Sequence, residues 1–439
     1  MEQQTTPAFV KWFRDSSPYI NAHRDRTFVL AISGEALLAE GRDNLIADIT
    51  LLVNLGVRVV LVHGIEPQLR GALEDMGHSL EHHNGHPVTD DHALRAVRQS
   101  TGGMRLELEA AFSSGLASTH TGGNNIRVVS GNHVVARPLG VREGIDHLHS
   151  GEVRRLHTSA VRDQLDSGAL VLLSPVGYSP SGEVFYVAPG EVAAVAAMEL
   201  RADKLLFLSE SGPLVDTDGK RVEVLTPAEA EHTAAQSGCP PEQRAQLLHA
   251  VRACRAGVRR AHLMARRHDG ALLQELYSRD GVGTLITTDD YDAVRTARVE
   301  DIGGILHIIS PLEAEGVLVQ RSREQLELDI GHFVVMERDG MIIACASLHP
   351  FADEHAGELA CVAVHPDYRD ADRGRVVLQM LERQAQQQGI KHLFVLTTRT
   401  ADWFREQGFE PARIEDLPVS RQALYNYQRK SKVFSKALG

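Results

Sequence analysis

The sequence predicts an α/β protein in two parts, a larger domain on a mostly parallel sheet followed by a smaller α+β domain. Through the first part, apolar runs such as 28–33 and 57–62 alternate with amphipathic stretches, which is typical of a parallel sheet covered by helices on both faces. Beyond a polar stretch at 287–292, two apolar runs joined by Asp339-Gly340 indicate a hairpin instead. At roughly 150 residues per domain, the chain is long enough for two or three domains.

The first domain is predicted to follow a short helical arm. Residues 1–26 contain the arm, with a helix over 7–23, and residues 27–287 form the α/β domain. Continuous apolar runs predict its strands, and amphipathic stretches predict the helices between them. The strands are expected at 28–34, 57–63, 169–177 and 204–209, and the helices at 45–55, 67–76 and 191–201.

The second domain, residues 297–439, is predicted to follow a linker at 288–296. Its helix stops at Gly389, a residue type common at helix ends. The elements are expected in the order hairpin at 333–347, strand at 358–364, helix at 375–388 and strand at 391–397.

Charge and composition argue against several classes of protein. The net charge is −12 and the pI is near 6, which argues against nucleic-acid binding because that affinity comes from clustered basic charge. No apolar run approaches the roughly 18 residues of a membrane span, and the N-terminus lacks the pattern of an export signal. The four cysteines form no CxxC spacing, so we expect free thiols in a reducing cytoplasm.

An arginine-rich turn at 365–375 lies between an apolar strand end and a helix. Free N–H groups and the helix dipole make such a turn a site for anions such as phosphate. With the later segment W-F-R-E-Q-G-F, 403–409, it resembles the GCN5-related N-acetyltransferases, whose Q/R-x-x-G-x-G/A loop wraps the pyrophosphate of acetyl-CoA. On that pattern Arg369 is first and Gly374 last. Asp372 replaces the middle glycine, and we expect its carboxylate to point outward, away from the phosphates.

This resemblance implies an acetyl-CoA site in an N-acetyltransferase domain. Glu358, which begins the strand before the loop, is the candidate base for the acceptor amine. Thr397 is the candidate proton donor to the departing sulfur, with Tyr425 or Tyr427 as alternatives. The backbone N–H of Cys361 would face the thioester oxygen. The coenzyme contacts carried over are Cys361, Val362, Val364, Arg369, Asp370, Arg373, Gly374 and Arg375.

The acceptor is suggested by the C-terminal segment 421–439, which has five basic residues and no acidic one. Such a segment can be a solvated charge run or a nucleic-acid arm, but its apolar alternation predicts a final strand that points cations into a site. With Arg321 and Arg323 it could hold a small dicarboxylate by charge-assisted contacts. The acceptor would then be glutamate or aspartate.

The first domain resembles the amino-acid kinase family, which implies a kinase-like sandwich, on the segments 28–34, 59–68 and 204–212. Ala31 stands where that family has a lysine, and the loop 63–67 reads H-G-I-E-P where the family has H-G-G-G-P. Because phosphoryl transfer depends on positioned positive charge, we predict no kinase activity. The segment 262–284 resembles the arginine-binding segment of arginine-sensitive members. The allosteric site implied by that resemblance comprises Tyr19, Lys204, His262, Glu275 and Gly281.

Both halves in this order resemble the bacterial N-acetylglutamate synthases. The resemblance implies acetyl transfer from acetyl-CoA to L-glutamate as the first step of arginine biosynthesis, with L-arginine as feedback inhibitor, a ring hexamer and no metal. Arg321 and Arg429 would bind the carboxylates of glutamate, and Ser431 would add a supporting hydrogen bond. Two alternatives stay open, an acetyltransferase for another amine and a non-catalytic arginine sensor.

Overall fold

A computed structural model of the chain describes residues 8–38, 41–113, 126–288, 293–338, 340–369, 372–423, 425 and 431–438. The chain divides into two compact units, Met1–Asp289 and Asp290–Gly439. Within the described ranges, no helix is both long and apolar enough to cross a membrane.

The first unit contains the predicted alternation of helices and strands. Its helices are α1 (Ala8–His23), α2 (Arg42–Asn54), α3 (Glu66–Asp75), α4 (Asp91–Ser113), α5 (Thr158–Asp166), α6 (Pro189–Leu200), α7 (Pro227–Ala235), α8 (Pro241–Arg255) and α9 (Ala271–Tyr277). Its strands are β1 (Thr27–Ile32), β2 (Arg58–His63), β3 (Glu81–His83), β4 (His86–Val88), β5 (Val128–Ser130), β6 (Val134–Pro138), β7 (Val141–Arg142), β8 (Ile145–Asp146), β9 (Gly151–Leu156), β10 (Leu170–Leu173), β11 (Val176–Tyr178), β12 (Val184–Tyr186), β13 (Lys204–Ser209), β14 (Val224–Leu225), β15 (Arg260–Ala265) and β16 (Thr284–Thr287).

The mostly parallel sheet predicted for this unit is confirmed. Eight strands lie in the order β14-β16-β15-β13-β1-β2-β10-β5, and of their pairings only β15 with β16 is antiparallel. A smaller sheet has the order β12-β11-β6-β9. The apolar run predicted as one strand at 169–177 is split between the two sheets as β10 and β11.

Two apolar clusters cover the two faces of the large sheet. Val29 and Ala31 of β1 point into one cluster, and Phe28 and Leu30 point into the other, because successive side chains of a strand face opposite ways. Helices α6 and α8 supply the first cluster, and α2 and α4 supply the second. Burial on both faces explains why β1 reads as a continuous apolar run.

The second unit is built on an antiparallel-rich sheet. Its helices are α10 (Ile302–Ala314), α11 (Arg323–Asp329), α12 (Arg373–Gln387), α13 (Ala401–Glu406) and α14 (Val419–Gln422). Its strands are β17 (Ala293–Thr296), β18 (Phe333–Arg338), β19 (Met341–Phe351), β20 (Ala356–Val364), β21 (His392–Thr397), β22 (Glu410–Ala412) and β23 (Lys432–Ala437), in the spatial order β17-β18-β19-β20-β21-β23-β22.

Residues 293–296, expected within the linker, instead form β17 and pair antiparallel with β18. The guanidinium of Arg295 fixes this edge, since it donates to Asp301 Oδ2 at 2.7 Å and to Glu337 Oε2 at 2.5 Å. A four-residue strand held by a partly buried ion-pair network gives little periodic signal in the sequence. The final strand expected in the basic C-terminal segment is present as β23.

Candidate functional site

Strand β20 carries a bulge at Cys361. Cys345 of β19 is in register with Ala363, whereas Ser347, two residues on, is in register with Ala360. Strand β20 therefore contains one extra residue, and Cys361 takes a φ of 51°, in the left-handed region. Such backbone costs about 1–3 kcal/mol in a residue other than glycine and is often found at functional sites.

The bulge lies where β20 and β21 stop pairing. Their parallel register covers only Ala356–Leu359 against His392–Val395. Among the described residues, β20 does not pair with β21 from Ala360 onward, so this part of its edge is left open by that pairing. An extended ligand can therefore hydrogen-bond to this part of the strand, as a further strand would.

One face of the sheet has two apolar clusters with a polar strip between them. Cys345 and Cys361 belong to the cluster under α10 and α11, and Phe351 and Phe394 belong to the other. Between them on the same face, by strand alternation, lie Ser347, His349 and Glu358. We call this strip the polar gap, and it is the place where a polar substrate can lie beside the bulge.

Glu358, the predicted base, is held by an arginine in the polar gap. Arg421 of α14 donates from Nε to Oε2 at 2.6 Å and from Nη2 to Oε1 at 2.9 Å. The side chain of Glu358 is only 14% exposed, and that of Arg421 is 19% exposed. A two-point contact of this kind is charge-assisted and holds the carboxylate in one orientation.

Arg321 reaches the bulge from the segment between α10 and α11. Its Nη1 donates to Cys361 Sγ at 2.6 Å, and its backbone N–H donates to Glu313 Oε1 at 3.1 Å. Burial raises the pKa of the Cys361 thiol to about 11, although the guanidinium of Arg321 acts in the opposite direction. Cys361 is thus a neutral core thiol, and Arg321 places a cation next to the bulge.

The loop before α12 confirms the expected direction of Asp372. Its side chain is 76% exposed, and its Oδ2 accepts from Arg375 Nη2 at 3.1 Å. Asp372 has a φ of 50°, the left-handed conformation that glycine adopts without strain. Backbone conformation therefore explains why the related loops have glycine here.

The basic side chains of this loop are placed differently from one another. Arg373 is 8% exposed, lies over the Tyr368 ring and donates to Tyr368 O at 3.2 Å, so its guanidinium packs within the loop and does not point outward. The N–H of Arg375, expected to bind phosphate, instead donates to Asp372 O at 2.9 Å, because Asp372 is the N-cap of α12. Arg369 is exposed, with its Nε 3.4 Å from Val364 O.

Gly374 is fixed by packing as well as by its place in the first turn of α12. A Cβ there would lie 3.1 Å from Trp403 Cζ2, so Gly374 packs directly against the W-F-x-x-x-G-F segment. Val362 and Val364 are partly buried against the apolar cluster under α12. Asp370 lies outside the described residues.

Thr397 ends β21 with its hydroxyl engaged in the following turn. Its Oγ1 accepts from the N–H of Thr400 at 3.0 Å and lies 2.8 Å from Thr400 Oγ1. The hydroxyl of Tyr425 donates to Ser431 O at 2.6 Å, so these two residues are in direct contact. Arg429 and Tyr427 lie within that segment, outside the described residues.

In the first unit, the predicted arginine site is built around Glu275 of α9. Its Oε1 lies 2.6 Å from His262 Nδ1, and its Oε2 accepts from the N–H groups of Val282 and Gly283, each at 2.7 Å. Burial alone would raise the pKa of Glu275, but the hydrogen bond and charge of His262 and the two N–H donors lower it to about 2. A buried, fully ionised carboxylate is a suitable partner for a guanidinium.

Gly281, Lys204 and Tyr19 were predicted to belong to the same site, and Gly281 contacts the carboxylate directly. A Cβ on Gly281, whose φ is 52°, would collide with the Glu275 carboxylate. Lys204 is buried, and its Nζ lies 5.9 Å from the Phe28 ring centroid. Burial has the largest effect in lowering the pKa of His262, and the charge of Lys204 lowers it further. Tyr19 lies on α1, which is joined to α9 by Ser16 Oγ donating to Tyr277 O at 2.9 Å.

The two glycine-containing loops that follow β1 and β2 are closely packed against each other. A Cβ on Gly34 would lie 2.6 Å from Pro67 Cδ, and one on Gly64 would collide with the Glu66 carboxylate. Burial raises the pKa of Glu66. A carboxyl group thus occupies the space that the two glycine loops enclose.

Three residues of the second-unit site were not predicted from the sequence. Arg421 belonged to a recognised basic segment, but that segment gave no sign of which carboxylate it would meet. Ser347 and His349 are single polar residues in a long apolar run, and strand alternation was the available signal that they share a face. Among the described residues, no group of three or more His, Cys, Asp or Glu is arranged to hold a metal ion.

Comparison with known proteins gives matches in both units. The model of the amino acid kinase family matches residues 26–264, and that of the acetyltransferase (GNAT) family matches residues 304–409. The amino-acid acetyltransferase of Azotobacter vinelandii is 50% identical over 431 residues, 98% of this chain and 99% of the relative. That of Pseudomonas putida is 49% identical over 433 residues, 98% of this chain and 100% of the relative.

Two solved structures extend these matches. N-acetylglutamate synthase from Neisseria gonorrhoeae, complexed with coenzyme A and L-arginine, has 36% sequence identity and a TM-score of 0.87 over 98% of this chain and 99% of that one. The same enzyme complexed with coenzyme A and N-acetyl-glutamate has 37% identity and a TM-score of 0.63, over 98% of this chain and 100% of that one.

Proposed function

Because this chain belongs to the amino-acid acetyltransferase family, with an amino-acid kinase-like unit followed by a GNAT unit, we propose that it acetylates L-glutamate. The acetyl group of acetyl-CoA passes to the α-amine, giving N-acetyl-L-glutamate and CoA, the first step of arginine biosynthesis. L-Arginine bound to the kinase-like unit inhibits the reaction. The relatives named above support this proposal over nearly the full length of the chain.

The observation that carries the proposal is the cation at the bulge. Arg321 donates to Cys361 Sγ, so its guanidinium lies beside the place where β20 and β21 separate. A guanidinium there can bind a carboxylate of an amino-acid acceptor and repels a polyamine. Arg429 and Ser431 are proposed to hold the same substrate, and the hydroxyl of Tyr425 donates to Ser431 O, which helps to orient Ser431.

The coenzyme is proposed to bind along the free edge of β20 and the loop before α12. The backbone of Cys361, Val362 and Val364 would hydrogen-bond to the pantetheine arm and polarise the thioester carbonyl. The pyrophosphate would meet the loop 369–374 through backbone N–H groups and the exposed Arg369. Thr397, Tyr425 or Tyr427 would supply the proton to the departing sulfur.

Arginine is proposed to bind at Glu275. The pKa of this carboxylate is lowered to about 2, so it stays ionised and can accept a bidentate contact from the guanidinium. His262, Gly281, Lys204 and Tyr19 complete the site. Ala31 in place of the family's lysine and the Glu66 carboxyl group in the second glycine loop support the absence of kinase activity, because together they remove a cation and add an acid. A ring hexamer in the cytoplasm is the expected form of the protein.

The first experiment measures CoA release from acetyl-CoA by the purified full-length protein. L-Glutamate, spermidine and a lysine peptide serve as acceptors, each with and without L-arginine. Release that depends on glutamate and falls with arginine is the expected result. Release with the other amines alone would reject glutamate as substrate, and tight arginine binding without release would support a non-catalytic sensor.

Two neighbouring arginines provide a matched control for the acceptor site. Arg321→Ala should raise the KM for glutamate about 10-fold or more, because a charged hydrogen bond contributes roughly 1.5–3 kcal/mol. Arg323→Ala should leave it unchanged, because Arg323, which the sequence placed with Arg321 in the carboxylate site, is exposed and pairs with Glu327 instead. Equal effects of the two variants would reject the role of Arg321.

A further inference from the structure

His349 is a titratable residue in the polar gap that the scheme above does not use. It lies on β19 directly in register with Glu358 on β20, and such cross-strand partners bring their Cβ atoms to about 5 Å of each other on one face. It is only partly buried, whereas its neighbour Leu348 is fully buried on the opposite face. The imidazole therefore borders the same space as the carboxylate of Glu358.

Hydrogen bonding fixes which nitrogen of His349 carries the proton. Ser347 Oγ donates to Ala360 O at 3.2 Å, so that hydroxyl has used its hydrogen. His349 Nε2 lies 3.1 Å from the same Oγ and must donate to it. The neutral imidazole thus has its hydrogen on Nε2, and Nδ1 carries the lone pair that can accept a proton.

Glu358 is poorly arranged to accept that proton itself. Both of its oxygens accept from Arg421, at 2.6 and 2.9 Å, in a pair that is largely buried. Protonation would weaken a charge-assisted contact between two largely buried groups. The carboxylate is better suited to attract an ammonium group and to stabilise a cation that forms beside it.

The groups around His349 keep it neutral near pH 7. Burial lowers its pKa below the ordinary 6.5, and His332 and Arg321 act in the same direction, whereas Asp329 and Glu358 act against them. The His332 ring lies 5.2 Å from that of His349, centroid to centroid, and is exposed. Arg421 faces the same gap through Glu358.

We propose that His349 is the general base of acetyl transfer, with Nδ1 accepting a proton from the α-ammonium group of the acceptor amino acid. This inference rests on the proposed function. The neutral amine then attacks the thioester carbon, the N–C bond forms, and the C–S bond breaks. The nitrogen loses a second proton, the thiolate takes up one proton as CoA–SH, and His349 releases its proton to solvent. Glu358, held by Arg421, stabilises the imidazolium and holds the ammonium in place.

The test compares the full-length wild-type protein with His349→Gln and His349→Ala over pH 6–9.5, measuring kcat/KM for glutamate. His392→Gln is the matched control, since His392 is an exposed histidine at the first residue of β21. We expect His349→Gln to lose about 100-fold at neutral pH, the usual contribution of a positioned base. The loss should shrink as pH rises, because free amine then forms without a base, and the KM for acetyl-CoA should stay within 2-fold of wild type.

Added imidazole provides a readout that a structural role of His349 would not change. In His349→Ala, imidazole should restore activity at least 10-fold, whereas it should not affect wild type or His392→Gln. Coenzyme A binding by calorimetry establishes that each variant is folded. Wild-type-like rates in both His349 variants, or a loss that neither pH nor imidazole relieves, would overturn the proposal. A wild-type protein that does not acetylate glutamate would overturn the proposed function instead.

Discussion

Glu358 and Arg421 form a two-point ion pair between residues 63 positions apart, with contacts of 2.6 and 2.9 Å. It joins the strand that carries the bulge to α14, which overlaps the start of the basic C-terminal segment 421–439. The orientation of the Glu358 carboxylate in the polar gap therefore depends on a residue that lies far away in the sequence.

Arg421→Ala should lower kcat/KM for glutamate about 10- to 100-fold while leaving the KM for acetyl-CoA within 2-fold. The carboxylate of Glu358 would then be left largely buried without its partner, which typically costs about 2–3 kcal/mol of stability. Steady-state kinetics and urea unfolding measure the two effects. Arg413→Ala removes the exposed pair with Asp416 and should leave the urea midpoint close to that of wild type. If the two variants behave alike, Glu358 does not depend on Arg421.

Gly281→Ala should abolish arginine inhibition and leave basal acetyl transfer intact. The new methyl group would collide with the Glu275 carboxylate and displace it. Gly219→Ala is the matched control, because Gly219 also has a positive φ, 76°, but a Cβ there would meet no other group within 4 Å. Both variants bear the strain of left-handed backbone, about 1 kcal/mol, and Gly281→Ala alone bears the collision. Arginine titrations of activity distinguish them, and equal sensitivity of both would contradict the assigned site.

Glu275→Gln should lower stability at neutral pH but not in acid. The folded-state pKa of Glu275 is about 2 against an ordinary 4.5, so the unfolded chain binds its proton more readily than the folded one. The stabilisation is therefore complete above about pH 5 and is lost as pH falls through 4.5 towards 2. By linkage it is on the order of 3 kcal/mol.

Urea midpoints of wild type and Glu275→Gln, measured from pH 7 to pH 3.5, give that difference directly. It should narrow below pH 4.5. Glu231→Gln removes an exposed carboxylate paired with Arg255 and should show little difference at any pH. A gap between wild type and Glu275→Gln that stays constant with pH would mean that the lost contacts, and not the charge, account for the effect.

Asp372→Gly and Asp372→Asn separate the charge of this residue from its backbone strain. Both remove a carboxylate from the coenzyme loop and should lower the KM for acetyl-CoA a few-fold, because the pyrophosphate is an anion. Only Asp372→Gly also relieves the left-handed φ of 50°, and it should raise stability by up to about 1 kcal/mol. Asp402→Asn, which removes a carboxylate that is 91% exposed, should change neither value. An unaltered KM in both Asp372 variants would mean that the phosphates bind elsewhere.

Patterns that are local in the chain determined the parts of the fold that sequence analysis predicted. The apolar run of β1 required burial on both faces, and the two clusters that flank it satisfy that requirement. Asp372 was predicted to point outward because a carboxylate and a phosphate repel each other, and its side chain is exposed. In these cases the pattern of apolar residues or the local charge involves only a few neighbouring residues. Such short-range patterns can be read from a single sequence.

Other features depend on contacts between segments distant in the chain. The bulge at Cys361 is a register shift against β19, and no residue type in 356–364 marks it. The guanidinium of Arg373 was expected to bind phosphate, but it packs on the Tyr368 ring. An arginine can stack on an aromatic ring as well as pair with an anion.

The sequence by itself determined the two-unit α/β architecture, the helix and strand order and the segments that carry the candidate sites. Tertiary structure alone decided that Arg421 meets Glu358, that Arg321 reaches Cys361 and that His349 faces the same gap. The physical reason is that secondary structure follows from periodicity along the chain. The geometry of a site follows from strand register and from the packing of residues that the sequence separates.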